Sequence, residues 1–321
     1  MRIVVHICGT FLALLGVVSS AAAAEDRLSP NEVEKLAANG GYFAFTALRT
    51  EARHEDLRAG SAVIGAVKVG GDEGVQFARE VFSWGNPYLD QYALMGLGEN
   101  TSSASLDLLR EKASEFASID SQREEAAGGA WAHVFRTLHA GDAVAIAENT
   151  VADETRSPFE RALYLRIFID QTVDRATALR IYRPFLENPA RELRRVAVAA
   201  NGFFWDAEML PAILRLENDK EDPVVRNKAR YIARRYLRYG PEGPKQGESE
   251  TSPSYLARHP KPYDPEGYAA WLARDKEWGR VQTLLLTGHE PPPPAPTPPS
   301  FEMRNAATPS KDSEGKLLYR P

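Results

Sequence analysis

Two-residue signals for the beginning of a helix recur along the middle of the chain. In each, a small polar residue whose side-chain oxygen accepts a bond from a free backbone N–H precedes a proline, which fits the first helical position. These pairs are Asn86-Pro87, Ser157-Pro158, Asn188-Pro189 and Asp222-Pro223. Pro158, Pro189 and Pro223 follow one another at 31 and 34 residues, and Pro87 precedes Pro158 by 71, about twice that period. This spacing predicts an all-α array of helical repeats.

The helices after these prolines have an apolar side of helical period. After Pro223 its members are Val225, Ala229, Ile232, Ala233 and Tyr236; after Pro189 they are Leu193, Val196, Ala197 and Ala200; after Pro158 they are Ala162, Leu163, Leu165 or Arg166, and Ile169. Partner helices are predicted over 175–186 and 208–216. A helix start at Ser121 and the segment 54–59 fill the remaining periods, which gives about six helix–turn–helix units.

The segment Glu221–Ala229 has the pattern Asp-Pro-x-Val-Arg-x-x-Ala. It resembles the core of the HEAT-like repeats first named from phycobilisome-lyase-type proteins, and Asn188–Ala197 and Ser157–Ala162 are weaker matches. The resemblance covers about 45–240. It implies a right-handed α-solenoid of antiparallel helix pairs, an armadillo-like helical architecture, whose concave surface generally holds another macromolecule. It implies no catalytic motif.

The amino-terminal segment has the features of a secretory signal. A lone basic residue, Arg2, precedes an apolar run from Ile3 to Val18, and small residues with an Ala-x-Ala pattern end at Ala24. We expect cleavage near Ala24, with an uncleaved anchor as the alternative. The only cysteine, Cys8, lies in this segment, so the mature chain has no disulfide. Abundant alanine, and more arginine than lysine, favour a bacterial source and hence a periplasmic or secreted protein.

The composition predicts five segments. The signal peptide (1–24) precedes the repeat array (25–240), a linker (241–263), a helix that packs on or near the solenoid (264–288) and a disordered Pro-rich tail (289–321). The helix either caps the array or docks elsewhere. The nine residues from Pro291 favour an extended polyproline II helix, which would project the residues that follow. Those residues contain either a binding motif or a tail without function. The motif residues are Phe301, Leu317, Leu318 and Tyr319.

Residues with catalytic or metal-binding potential do not form a recognised pattern. The histidines after the signal are His54, His133, His139, His259 and His289, and none lies at metal-ligand spacing from another. Phosphate-binding glycine loops and nucleophile elbows are missing from the sequence. We therefore expect a protein without cofactor, metal or enzymatic activity, the alternative being a hydrolase or lyase accessory.

Charge is distributed unevenly, and arginines dominate the last repeats. Residues 25–150 carry 11 basic and 20 acidic side chains (net −9), whereas 155–240 carry 17 and 11 (net +6). The arginines that stacked helices would align into a ladder are Arg191, Arg194, Arg195, Arg226, Arg230 and Arg234. Such a ladder could bind an acidic protein, an anionic lipid or a polysaccharide, whereas nucleic acid is an unexpected partner for an exported protein. Alternatively, these arginines pair with carboxylates of adjoining repeats, namely Glu187, Glu192, Glu217, Asp219, Glu221 and Asp222.

Aromatic residues in the turn after the Pro189 helix also have two interpretations. Phe204 and Trp205 are either exposed anchors for a partner or side chains that fill the gap between repeats. Two functional hypotheses follow. In the first, the chain is an exported scaffold or adaptor that binds another protein of the cell envelope through the concave face. In the second, it is an accessory subunit of an envelope machine that binds an anionic polysaccharide or lipid through the arginines.

Overall fold

A computed structural model describes residues 27–54, 59–170, 172–240, 253–258 and 260–290. Secondary structure within these ranges is helical, and no strand occurs in them. The chain divides into two compact units. The first contains the described residues up to Tyr236, and the second contains Leu237–Gly240 and the described residues from Pro253 onward.

The described part of the first unit begins with helix α1 (Pro30–Asn39), which is followed by six helix pairs, and the last of these helices continues into the second unit from Leu237. The first helices of the pairs are α2 (Gly41–Ala52), α4 (Gly71–Ser83), α6 (Ser103–Phe116), α8 (Ala143–Ala152), α10 (Arg175–Tyr182) and α12 (Leu210–Leu216). The second helices are α3 (Ala59–Val69), α5 (Pro87–Glu99), α7 (Ser121–Leu138), α9 (Pro158–Leu165), α11 (Arg191–Phe204) and α13 (Pro223–Tyr239). Short 3₁₀ helices lie at Arg166–Phe168, Arg183–Phe185 and Ala207–Met209.

The second helices begin at intervals of 28, 34, 37, 33 and 32 residues, so the repeat predicted from the prolines is present. Successive second helices pack on one another and form what we call the second-helix layer. The first helices form the first-helix layer, in which consecutive members meet through pairs such as Phe45 on α2 and Phe77 on α4. The prediction of an all-α helical-repeat array is confirmed.

Three of the four Pro-marked helices begin where the sequence predicts. The side chains of Asn86, Ser157 and Asp222 accept bonds from the backbone N–H groups of Tyr88 (3.1 Å), Glu160 (3.1 Å) and Val224 (2.9 Å). Ser121 likewise begins a helix, α7, with Asp120 as its cap. These caps stabilise the helix ends because they satisfy N–H groups that have no partner within the helix.

The prediction that a helix begins at Asn188-Pro189 is wrong by two residues. Helix α11 begins at Arg191, and the Asn188 side chain instead accepts from the N–H of Ala190 (2.9 Å) in a turn before the helix. Arg194 stabilises this turn, because its Nη1 donates to the carbonyl oxygens of Asn188 (2.9 Å) and Pro189 (2.8 Å).

Most residues of the predicted apolar sides are buried in the array; the exception is Ile169 of the Pro158 set, which follows the 3₁₀ turn after α9 and is half-buried. All five members after Pro223 are buried, and so are the four after Pro189. Burial of each large apolar side chain contributes about 1.5–3 kcal/mol. The partner helices predicted over 175–186 and 208–216 are present, each as an α-helix joined to a 3₁₀ turn.

The second unit contains α14 (Pro253–Arg258) and α15 (Pro265–Thr287). Asp264 caps α15 by accepting from the N–H of Gly267 (2.9 Å), as the Asp264-Pro265 pair predicts. Most of α15 is exposed or half-buried, and Trp271 is its one buried residue. Across the described part of the chain, the helices are too short or too polar to cross a membrane.

Several sequence predictions lie outside the described residues. They are the signal peptide over 1–24, the residues 55–58 of the first predicted unit, most of the 241–263 linker, and the tail motif of Phe301, Leu317, Leu318 and Tyr319.

Candidate binding surfaces

Two of the six candidate arginines are engaged inside the array. Arg194 is buried, and besides its two carbonyl partners it pairs with Asp219 (3.4 Å). Arg195 donates from Nε to Asp222 (2.6 Å) and from Nη1 to the carbonyl of Ala117 (3.3 Å), at the end of α6. Their guanidinium groups therefore connect helices within the array.

Asp222 joins the capping of α13 to this arginine cluster. Burial raises the pKa of its carboxyl, but hydrogen bonds from Arg195 and from the N–H groups of Val224 and Val225 outweigh burial, so the pKa is lowered. The side chain is 1% exposed. One carboxylate thus caps a helix and neutralises an arginine of the preceding repeat.

The other four candidate arginines have different surroundings. Arg226 donates to the carbonyl of Asp219 (3.0 Å), and the exposed Arg191 bonds its neighbour Glu192 (3.1 Å). Arg230 is half-buried and Arg234 is exposed, and both interact with other groups. Several acceptors are those that the alternative interpretation named, so the six arginines do not stand together as one open cationic row.

The candidate aromatic residues lie between helices. Phe204 is half-buried against the ring of Tyr182 on α10, with ring centroids 6.0 Å apart. Trp205 ends α11 in a left-handed conformation (φ 52°), and the guanidinium of Arg235 lies 4.7 Å from its ring centroid. Phe203, the neighbour that precedes them, is more exposed.

A polar cluster connects repeats that are not neighbours. We call it the polar junction, and its members are Glu124, Glu125, Arg166, Arg195, Asp222 and Lys228. Within it, Arg166 pairs with Glu124, and Lys228 contacts both carboxylate oxygens of Glu125 at 2.6 Å. Lys228 and Glu125 are 103 residues apart, so the beginnings of α7 and α13 meet.

Glycine makes room for the buried ion pair of Arg166 and Glu124. A Cβ atom on Gly128 of α7 would lie 2.5 Å from Nε of Arg166. Two cavities of about 10 Å³ border the junction, which is close to the volume that one water occupies. The junction is therefore a closely packed set of charges that holds α7, α11 and α13 together.

A shallow apolar groove opens on the second-helix layer near the beginning of the array. Helices α1, α3 and α5 form it, and its volume is about 480 Å³. Its residues are Pro30, Val33, Glu34, Ala37, Ser61, Ile64, Gly65, Lys68, Met95 and Glu99. Met95 is 55% exposed at its edge, and Lys68 and Glu99 pair across the rim at 3.4 Å.

Two tyrosines extend the apolar surface along α5. Tyr88 and Tyr92 have ring centroids 4.8 Å apart and hydroxyls 2.7 Å apart. The Tyr92 ring lies on Gly60, where a Cβ atom would be 2.7 Å away. Tyr88, Tyr92 and Met95 occupy positions i, i+4 and i+7 on the side of α5 that faces solvent. Their spacing is visible in the sequence, but only the structure shows that Tyr88 and Met95 are exposed.

The described residues contain no group of three or more His, Cys, Asp or Glu that could hold a metal ion. No protein-family model, curated protein or solved structure matches the chain.

Proposed function

We propose that this chain is an exported adaptor that binds another protein of the cell envelope through the second-helix layer. The observation that supports it best is the apolar groove of α1, α3 and α5, extended by Tyr88 and Tyr92. Contiguous exposed apolar surface with a polar rim is typical of interaction sites. A trough between helices suits an amphipathic helix, and an exposed methionine adapts to varied partners.

The HEAT type of the repeats belongs to the same proposal. In the segment that resembles the family core, Asp222 caps α13, Val225 and Ala229 are buried, and Arg226 bonds the preceding turn. Each matched position thus has a structural reason for its residue type, which supports the assignment. The signal-like features of residues 1–24 support export to the periplasm or beyond.

The alternative function, binding of an anionic polysaccharide or lipid through the six arginines, has less support. Arg194 and Arg195 use their donors within the array, so the strongest part of the postulated ladder is occupied. We propose an adaptor that acts by binding and not by catalysis.

Site-specific photo-crosslinking in the source cell tests the adaptor proposal. The full chain carries the crosslinker at Met95, and a matched chain carries it at Arg180 on α10, an exposed position of the first-helix layer. We expect one protein to crosslink at Met95, none at Arg180, and the crosslink to disappear when Ile64→Glu places a charge in the groove. Equal crosslinking at both positions, or none at Met95, would contradict the proposal.

Salt dependence separates the two functions. At 1 M salt, attraction between charges is screened beyond about 3 Å, whereas apolar contacts persist. We expect the Met95 complex to survive this wash. Loss of the partner at 1 M salt, together with insensitivity to Ile64→Glu, would favour the arginine-based alternative.

A further inference from the structure

A second groove lies on the first-helix layer, between α2 and α4, and has a volume of about 420 Å³. We call it the arginine groove. Its residues are Tyr42, Phe45, Thr46, Arg49, Thr50, Arg53, Glu73, Gln76, Phe77 and Glu80. The α2 members lie on successive turns, and from Tyr42 to Arg53 the helix rises by about 16 Å. The groove is therefore elongated and can accommodate a chain-like ligand.

One end of the groove carries an excess of positive charge. Arg49 and Arg53 each donate to a different oxygen of Glu80 at 2.7 Å. Burial raises the pKa of Glu80, but the two arginine hydrogen bonds outweigh burial and lower it, so the carboxylate is ionised at neutral pH. Two guanidinium groups thus share one carboxylate. The Nε of Arg49 has no acceptor within the described part of the chain.

The other end offers an aromatic ring among hydrogen-bonding groups. Tyr42 is 71% exposed, whereas Phe45 and Phe77 are buried beneath the groove. Gln76 and Glu73 are exposed on the opposite wall. A ligand in this groove meets an exposed aromatic ring, a set of polar groups and the two arginines.

We propose that the arginine groove binds an oligosaccharide that carries carboxylate groups. A sugar ring has one apolar face that can lie on Tyr42, and its hydroxyls match the amide and carboxylate groups of Gln76 and Glu73. A sugar carboxylate would take paired hydrogen bonds from the guanidinium of Arg53, a geometry that arginine favours. This site uses neither the apolar groove nor the six arginines of the later repeats, so it stands apart from the adaptor function.

Titration calorimetry on the full chain tests the proposal with three probes: tetragalacturonic acid, its neutral methyl ester, and tetraglutamate. We expect the acid to bind best. Arg53→Gln removes a charged hydrogen-bond donor and should lower the affinity for the acid by about tenfold or more, with little effect on the affinity for the ester. Tyr42→Ala should lower the affinity for both sugars.

The matched control is Arg79→Gln. Arg79 also bridges neighbouring first helices, pairing with Glu111 at 2.9 Å, but it lies outside the groove. We expect it to leave both sugar affinities unchanged, and all variants to melt within about 4 °C of the wild type. Absence of acid binding at about 10 mM, far weaker than a specific site, would overturn the proposal. So would equal binding of tetraglutamate, or unchanged binding by Tyr42→Ala.

Discussion

The buried pair of Arg166 and Glu124 offers a direct test of how the array is held together. The two side chains are 7% and 11% exposed, and they join the 3₁₀ turn after α9 to the first turn of α7. Arg166→Met keeps much of the packed volume but removes the cation. The Glu124 carboxylate then stays in the polar junction without its partner.

The expected cost follows from the burial of both groups. Removing one partner of a buried ion pair destabilises a protein by about 3–5 kcal/mol, because the other charge remains without compensation. Arg195 and Lys228 border the same small cavity as Glu124, so we expect the lower end of this range. For a unit of this size, about 3 kcal/mol corresponds to a fall in melting temperature of about 6–12 °C.

Urea unfolding followed by circular dichroism measures this effect. The double variant Glu124→Met/Arg166→Met removes both charges and should lie within about 1 kcal/mol of the wild type. The exposed pair of Arg180 and Glu148 (2.6 Å) provides the control, for which Arg180→Met should cost no more than about 1 kcal/mol. A cost below about 1 kcal/mol for Arg166→Met, or a double variant as unstable as the single one, would refute this reasoning.

Three other predictions concern the same junction. Gly128→Ala should lower stability by about 1–3 kcal/mol in urea unfolding, because its methyl group meets Nε of Arg166, whereas Gly129→Ala, with open space around it, should not destabilise. The pKa of Asp222 is lowered from 3.8, so its ionised carboxyl stabilises the fold above that pH and this contribution is lost as the pH falls below it. In Asp222→Asn, the free energy of unfolding should therefore vary less with pH between about pH 5 and 2 than in the wild type. Lys228→Gln should cost at most about 1 kcal/mol, a difference that 1 M salt should erase in melting experiments.

Each of these predictions has an outcome that contradicts it. If Gly128→Ala unfolds at the same urea concentration as Gly129→Ala, the guanidinium of Arg166 can move aside for the added methyl group. An acid unfolding profile of Asp222→Asn parallel to that of the wild type would mean that this carboxyl is not the group that titrates. A salt-independent loss in Lys228→Gln would show that packing of the lysine stem, and not its charge, is what matters.

Local features of the fold could be predicted from the sequence because their causes are local. A cap acts over three residues, and an apolar stripe repeats within one helix. Pro87, Pro158 and Pro223 therefore begin helices as expected, and the stripe that ends at Tyr236 is buried. The helix predicted from Asn188-Pro189 begins two residues later, after a turn that Arg194 stabilises by donating to the carbonyl of Asn188, and such a side-chain contact does not follow from the cap signal alone.

Contacts between repeats could not be predicted in the same way. The sequence shows that Arg194 and Arg195 are neighbours on α11. Which carboxylates they pair with depends on how α11 packs against α13 and the turn before it. For the same reason the sequence left open whether Leu165 or Arg166 faces inward; the structure buries both. The bond between Lys228 and Glu125 depends on the path of the array over three repeats.

The two candidate sites also depend on what the array leaves uncovered. Met95 is apolar and on a helical period, which is equally typical of a core residue, and only the structure shows that it is exposed. The arginine groove depends on two helices, α2 and α4, that begin 30 residues apart in the sequence, at Gly41 and Gly71, and lie side by side. Neither surface has a motif of its own.

The junction and the proposed sites occupy different parts of the first unit, and this arrangement has a measurable consequence. The polar junction lies in the third to sixth helix pairs, whereas both grooves lie within α1 to α5. No junction residue lines either groove, so stability and binding should vary independently. The double variant Met95→Glu/Arg166→Met should therefore lose the partner, as Met95→Glu alone does. Its free energy of unfolding should change by the sum of the changes in the two single variants, within about 0.5 kcal/mol. A larger coupling would mean that the charged half of the array controls the shape of the binding half.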